Sequence, residues 1–168
     1  MGVNAFGVTG LLTELVLPQS VETIAVGALS GCYALKNVTL PFVGTNKNGT
    51  QTQADIFGAI FGETQYTNSV ETVQTYGEEL SSVTYYLPST LTRVALTGGE
   101  LPEYAFSGCK DLTEVTLPST ATQIATRAFY DCEKLQKVLG VDNIKIISER
   151  AFENCTLFSN FEDFTADY

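Results

Sequence analysis

Residues 112–135 read LTEVTLPSTATQIATRAFYDCEKL, and residues 12–35, LTELVLPQSVETIAVGALSGCYAL, superpose on them. The shared framework of the earlier copy is Leu12, Leu15, Leu17, Pro18, Val21, Ile24, Ala28, Cys32 and Leu35. Self-similarity at a fixed period is the signature of a stacked repeat. Two further copies lie between and after these. Residues 91–112, LTRVALTGGELPEYAFSGCKDL, are two residues shorter, with the deletion between Leu96 and Leu101, in a connecting turn. Residues 135–158, LQKVLGVDNIKIISERAFENCTLF, keep Val138, Ile147, Ala151, Phe152 and Cys155 but replace the Leu-Pro step with Gly140-Val141, so the strand is expected to slip or kink there.

Each unit opens L-x-x-V-x-L-P. Apolar and polar residues alternate as in a strand with one buried face, and proline closes it because it has no N–H to give the ladder. The remainder, x-x-V-x-x-I-x-x-x-A-F-x-x-C-x-x-L, spaces apolar residues by three and four, as in a short helical turn. One unit cannot bury its own apolar edge, so units must stack, strand beside strand at about 4.8 Å. The expected fold is a repeat solenoid: a curved parallel β-sheet with short helical or 3-10 turns on the return path and one insertion. A single body spans 1–168, with a partial repeat at 1–11, then 12–35, 35–90 carrying an insertion at 42–90, 91–112, 112–135 and 135–158, and a C-terminal end at 158–168.

The cysteines read in the same frame. Cys109, Cys132 and Cys155 recur at intervals of 23, each three residues after Phe106, Phe129 and Phe152. Equivalent side chains in stacked units point the same way, and a free cysteine packs as a small buried hydrophobe, so a ladder of buried free thiols including Cys32 is expected in place of disulfides. Ala5 and Phe6 precede Leu12 as Ala28 and Leu29 precede Leu35, which puts Thr9 at a cysteine site and makes residues 1–11 the tail of an earlier unit. The expectation is an excised fragment of a longer protein, with Met1 added for expression.

Composition removes whole classes of function. Hydrophobic residues at 44% and charged residues at 17% suit a chain with a core and not a disordered one. Nine Lys and Arg against 19 Asp and Glu leave a net charge of -10, which repels polyanions and argues against nucleic acid or acidic membrane surfaces as partners. No apolar run approaches the roughly 20 residues of a membrane span, so no membrane insertion is expected. There is no His and no Trp. Imidazole general-base catalysis, Ser-His and Cys-His dyads and His-ligated zinc are thereby removed. The remaining close carboxylates, Glu78-Glu79, Glu100 with Glu103, and Glu162-Asp163, fall at turns, where acidic residues are usually just solvated. Gly98-Gly99 lacks the Lys and hydroxyl of a phosphate loop, and no run resembles a calcium loop. The expected protein has no cofactor, no metal and no catalytic residue. The Asn37, Asn48 and Asn154 sequons are read as chance.

With L-x-x-V-x-L-P followed by A-F-x-x-C-x-x-L in several copies, the chain resembles the BspA-like leucine-rich repeats of bacterial surface proteins. About two-thirds of the sequence carries the resemblance. It implies an α/β-type leucine-rich-repeat fold and a secreted or wall-attached parent, extracellular or at the cell surface, engaged in adhesion to host matrix or other cells. The sequence departs from that pattern after LKNVTLP at 35–41, where some 50 residues follow without the A-F-x-x-C half.

In that stretch ADIFGAIFG reads as a short buried helix, and SVETVQTY with SSVTYYLP as two strands of a hairpin laid over the solenoid. It holds half the tyrosines, Tyr66, Tyr76, Tyr85 and Tyr86. They either pack the insertion onto the repeats or form an exposed contact patch. Strand alternation sets Glu14, Asn37, Arg93, Glu114 and Lys137 in one exposed row, and Val16, Thr39, Ala95, Thr116 and Leu139 in the next. Row and tyrosines together are the candidate partner-binding residues. The function expected is a non-catalytic binding or adhesion module for a protein or glycan on a host or neighbouring cell. The alternative is a structural spacer within a larger surface protein.

Overall fold

A computed structural model describes residues 1–7, 10–48, 52–77 and 79–159. Thr9, Glu78, Glu162 and Asp163, to which the sequence assigned a framework or acidic-pair position, lie outside the described residues.

The strands fall where L-x-x-V-x-L-P recurs: β1 Glu14–Val16, β2 Asn37–Leu40, β5 Arg93–Leu96, β6 Glu114–Thr116 and β8 Lys137–Leu139. They form one parallel sheet in the order β1-β2-β5-β6-β8. Its register joins Leu15, Val38, Val94, Val115 and Val138 rung to rung, and all five face a core that runs the length of the solenoid. Burial of such side chains, at about 25 cal/mol per Å² of apolar surface, is what holds units too small to fold singly. A second, shorter parallel pair, β7 Gln123–Ile124 with β9 Ile146–Ile147, stacks the return path.

The A-F-x-x-C half forms tight turns closed by i to i+3 hydrogen bonds. Cys109 N–H reaches Phe106 O at 3.0 Å and Cys132 N–H reaches Phe129 O at 3.1 Å. Among the described residues no α-helix occurs; the return path is too short for one, and single turns serve instead. Successive turns are tied by Phe106 N–H to Ala128 O at 2.7 Å and Phe129 N–H to Ala151 O at 2.9 Å. The rings follow the same stack: Phe106 to Phe129 at 5.5 Å and Phe129 to Phe152 at 5.3 Å, nearly parallel. The residue before each cysteine turns the chain in the left-handed region, at Gly31 (φ 84), Gly108 (φ 73), Asp131 (φ 57) and Asn154 (φ 63). Gly, Asp and Asn are the residues that tolerate this conformation.

All four cysteines are free. The Cys132 thiol donates to Phe106 O at 3.1 Å and the Cys155 thiol to Phe129 O at 3.0 Å, one rung back in each case. The ladder departs from expectation at its end, where Cys155 is half-buried. In the last copy the strand kinks and does not slip. β8 stays in register with β6 through Leu139, and Gly140 then turns with φ 75 against the backbone of Leu117, where a side chain has no room.

The insertion corrects one expectation. The A-F half of the interrupted unit is present, supplied by other residues. A capping box at Thr52 and Asp55 starts a 3-10 turn, η1 Gln53–Asp55, and a second, η2 Phe57–Ile60, is wholly buried. Ile60 O accepts from Leu29 N–H of the preceding unit at 2.8 Å, while Phe57 N–H donates to Ala105 O of the following one at 2.9 Å. The Phe57 ring meets Phe106 at 5.0 Å, tilted at 47°, so the aromatic row extends into the interruption. What is added is an antiparallel hairpin, β3 Ser69–Tyr76 and β4 Ser81–Pro88. Gln74 fastens it. Its buried side-chain amide accepts from Gly58 N–H and donates to Ser107 O at 2.8 Å and to the Cys109 sulfur at 3.5 Å.

Candidate partner-binding surface

Parallel register puts Glu14 beside Asn37, Asn37 beside Arg93, Arg93 beside Glu114, and Glu114 beside Lys137. This is the row that alternation places outside. Glu14, Arg93 and Lys137 are exposed, and Asn37 and Glu114 partly so. Arg93 Nε donates to Asn37 Oδ1 at 2.9 Å, fixing the guanidinium along the row. The next row, Val16, Thr39, Ala95, Thr116 and Leu139, is apolar or small, with Val16 62% and Leu139 39% exposed at its ends. The strand face thus offers a charged line of mixed sign beside an uncharged one of small and apolar side chains, on a backbone whose inner side is locked by the core.

The hairpin tyrosines do not form a single patch. Tyr85, expected as a possible contact anchor, is 1% exposed: its ring lies over Gly58 and its hydroxyl donates to Gln53 O at 2.6 Å. It serves packing and is withdrawn from the contact set. Burial, and then the neighbouring Glu63 carboxylate, push its phenol well above the ordinary range. Tyr66 is half-buried with its hydroxyl enclosed, and burial raises that phenol too. Tyr76, half-buried, reaches Gln53 Oε1 at 3.5 Å. Tyr86, half-buried, stands opposite Glu71 across the hairpin. Among the described residues no hydrogen bond joins these four tyrosines to the strand row. The hairpin is seated on the return-path turns, through Gln74 on Ser107 and Val73 against Gly108.

The thiols differ in reactivity. Burial, followed by Asp111, drives Cys109 far up, and burial likewise raises Cys132. Cys155 moves the other way, chiefly through side-chain hydrogen bonding with the neighbouring Cys132 sulfur, with burial opposing. Among the described residues no group of three or more His, Cys, Asp or Glu side chains converges to hold a metal ion, and no helix is long and apolar enough to cross a membrane. Glu100 and Glu103 sit on the connection after β5, Glu100 exposed to solvent.

The family model described as BspA type leucine-rich repeat region matches residues 1–57 and 78–164, in six copies. The chain belongs to the BspA-type leucine-rich-repeat family. The break in the match at 58–77 coincides with the end of η2 and strand β3, where the repeat is interrupted. No curated protein matches the sequence. Among solved structures, a leucine-rich repeat protein from Bacteroides ovatus is similar at 22% identity and a TM-score of 0.33, over 94% of this chain and 44% of that one. A leucine-rich cell surface protein from Faecalibacterium prausnitzii is similar at 15% identity and a TM-score of 0.26, over 93% of this chain and 61% of that one. The BspA-type chain therefore spans about half the length of these proteins.

Sequence reading missed two things in this region. The positive-φ position before each cysteine was visible as Gly, Gly, Asp, Asn at 31, 108, 131 and 154. Gln74, a lone polar residue in a half-apolar strand, gave no signal of its role.

Proposed function

We propose that this chain is a non-catalytic binding module of an extracellular or cell-surface protein, presenting its strand face to a protein or glycan on a host or neighbouring cell. The observation that carries the reading is the row Glu14, Asn37, Arg93, Glu114, Lys137 in strict register. Its side chains differ from rung to rung, while those beneath them are uniformly Leu or Val. A scaffold whose inner positions are fixed and whose outer positions are free can display a pattern without refolding, and that is how solenoids recognise partners. The adjoining uncharged row supplies area to desolvate, and the charges supply orientation and encounter rate. Tyr66, Tyr76 and Tyr86 are secondary candidates on the hairpin. The family resemblance to surface repeats supports the location.

The test is a panel of host-matrix proteins and immobilised glycans probed with the chain and with a triple variant, Glu14→Lys, Arg93→Glu, Lys137→Glu, verified as folded by circular dichroism. Loss of a bound ligand in the variant supports the strand face. A ligand bound equally by both overturns that assignment, and silence across the panel favours the spacer.

A further inference from the structure

We propose that the groove between the hairpin and the last two return-path turns binds a carboxylate-bearing sugar. It is distinct from the strand face, and the inference does not depend on anything binding there. The groove exists because β3 rests directly on the turn at 104–109, with Val73 O against Gly108, while residues of the next two turns lie across from β3 and β4. Val73, Thr75, Leu80 and Ser82 form one wall; Arg127, Tyr130 and Arg150 form the floor. The cavity is about 350 Å³, in the range of small-ligand sites.

The floor is unusual in a chain of net charge -10. Arg127 and Arg150 are one repeat apart, at the same left-handed backbone position (φ 52 and 57), so two guanidinium groups rise from adjacent rungs. Arg150 is engaged by Glu149 at 3.2 Å and Glu153 at 3.5 Å. Arg127 makes no ion pair among the described residues. It is held instead by a hydrogen bond from Nη1 to the Tyr104 hydroxyl at 3.1 Å and lies 5.9 Å from the ring centres of both Tyr104 and Tyr130. Glu149 and Glu153 act on Arg127 through space without pairing with it, and tyrosine contacts orient a guanidinium without neutralising it, leaving most of its forked donors free for a planar carboxylate.

The rest of the groove selects what carries that carboxylate. Thr75 and Ser82 offer hydroxyls, and Val73 and Leu80, 51% and 49% exposed, offer an apolar surface for the C–H face of a sugar ring. The volume suits one ring and its carboxylate; an extended acidic peptide has no continuing channel of matching charge, since Glu149 and Glu153 flank Arg150.

The experiment titrates the chain with glucuronic acid, N-acetylneuraminic acid, glucose, acetate and a short Glu-rich peptide, following amide shifts of Ser82, Arg127 and Tyr130 by NMR. One or both acidic sugars are expected to bind more tightly than glucose, acetate and the peptide, and their order distinguishes uronic from sialic sources. Arg127→Ala should weaken binding by about 10- to 100-fold, the range for a lost charged hydrogen-bonded pair. Arg127→Lys, which keeps the charge and the fold but not the fork, should also weaken it, and Lys36→Ala should not. Glucose or acetate matching the acidic sugars, a tighter peptide, no shift with either sugar, or full affinity in Arg127→Lys overturns the proposal.

Discussion

Replacing Gln74 with alanine should detach the hairpin at a cost that can be worked from its partners. The side chain is fully buried and satisfies two buried backbone groups, the Gly58 N–H and the Ser107 carbonyl. Leaving a buried polar group without a partner costs about 1 to 3 kcal/mol each, so two come to about 2 to 6 kcal/mol. Water entering from the hairpin edge would recover part, which sets the expectation near 3 kcal/mol. For a domain of this size that corresponds to roughly 6 to 12 °C in Tm. The loss should also be local. Hydrogen exchange would show residues 69–88 losing protection before the parallel sheet, because β3 and β4 pair with each other and with no strand of that sheet. Gln74→Glu tests the same contact with the opposite chemistry: its buried carboxylate would face the Ser107 carbonyl, and the variant should recover stability as pH falls and the group protonates. A Gln74→Ala change within about 0.5 kcal/mol of the parent, the range of ordinary surface substitutions, with unchanged exchange in the hairpin, would refute the view that this amide fastens the insertion.

Phe129→Ala, removing a buried ring stacked between Phe106 and Phe152, should cost about 3 to 5 kcal/mol in urea melts, whereas Thr116→Ala on the outer row should stay within about 0.5 kcal/mol; equal sensitivity would mean the register is wrong. Thiol titration without reductant should find Cys155 reacting in the native protein, ahead of Cys32, Cys109 and Cys132, and all four after denaturation. Stability should fall in alkali. The folded pKa values of Cys109 and Cys132 are raised, so their contribution is whole below the unfolded thiol value of about 8.5 and is lost above it, at about 1.4 kcal/mol per pH unit for each. The raised phenols of Tyr66 and Tyr85 add to the fall at higher pH, and the lowered Cys155 opposes it, so a midpoint insensitive to pH between 8 and 10 would contradict the buried ladder.

Most of the solenoid was legible because its forces are periodic. Leu15, Val38, Val94, Val115 and Val138 occupy the same place in every unit, and one misplaced residue would move a strand's whole apolar set to the wrong face. The return path was harder to read. Apolar spacing by three and four fits an α-helix and a chain of tight turns alike, and the distinction lies in backbone conformation at Asp131 and Asn154. The insertion hid its own regularity. Phe57 and Ile60 fill the rung that Phe106 and Ala105 fill elsewhere, yet they stand in the reverse chain order, so no alignment of A-F-x-x-C finds them.

Of the candidate site, the strand row was readable from alternation alone and the tyrosines were not, for a physical reason. An outward strand position is decided by a period of two that the core enforces, whereas a hairpin side chain faces whatever the hairpin folds onto. Tyr85 and Tyr86 are adjacent, and the sequence treats them alike. In the structure one spans the joint to Gln53 while the other stands beside Glu71. The same reasoning explains why the Arg127 groove escapes a reading by rows. Its walls come from β3 and β4 and its floor from turns some 50 residues further on, joined only because Gln74 and Gly108 fix how the hairpin lies. If that joint sets the groove, Gln74→Ala should weaken acidic-sugar binding at Arg127 while leaving any binding at the strand row untouched, a separation that a simple loss of overall stability would not produce.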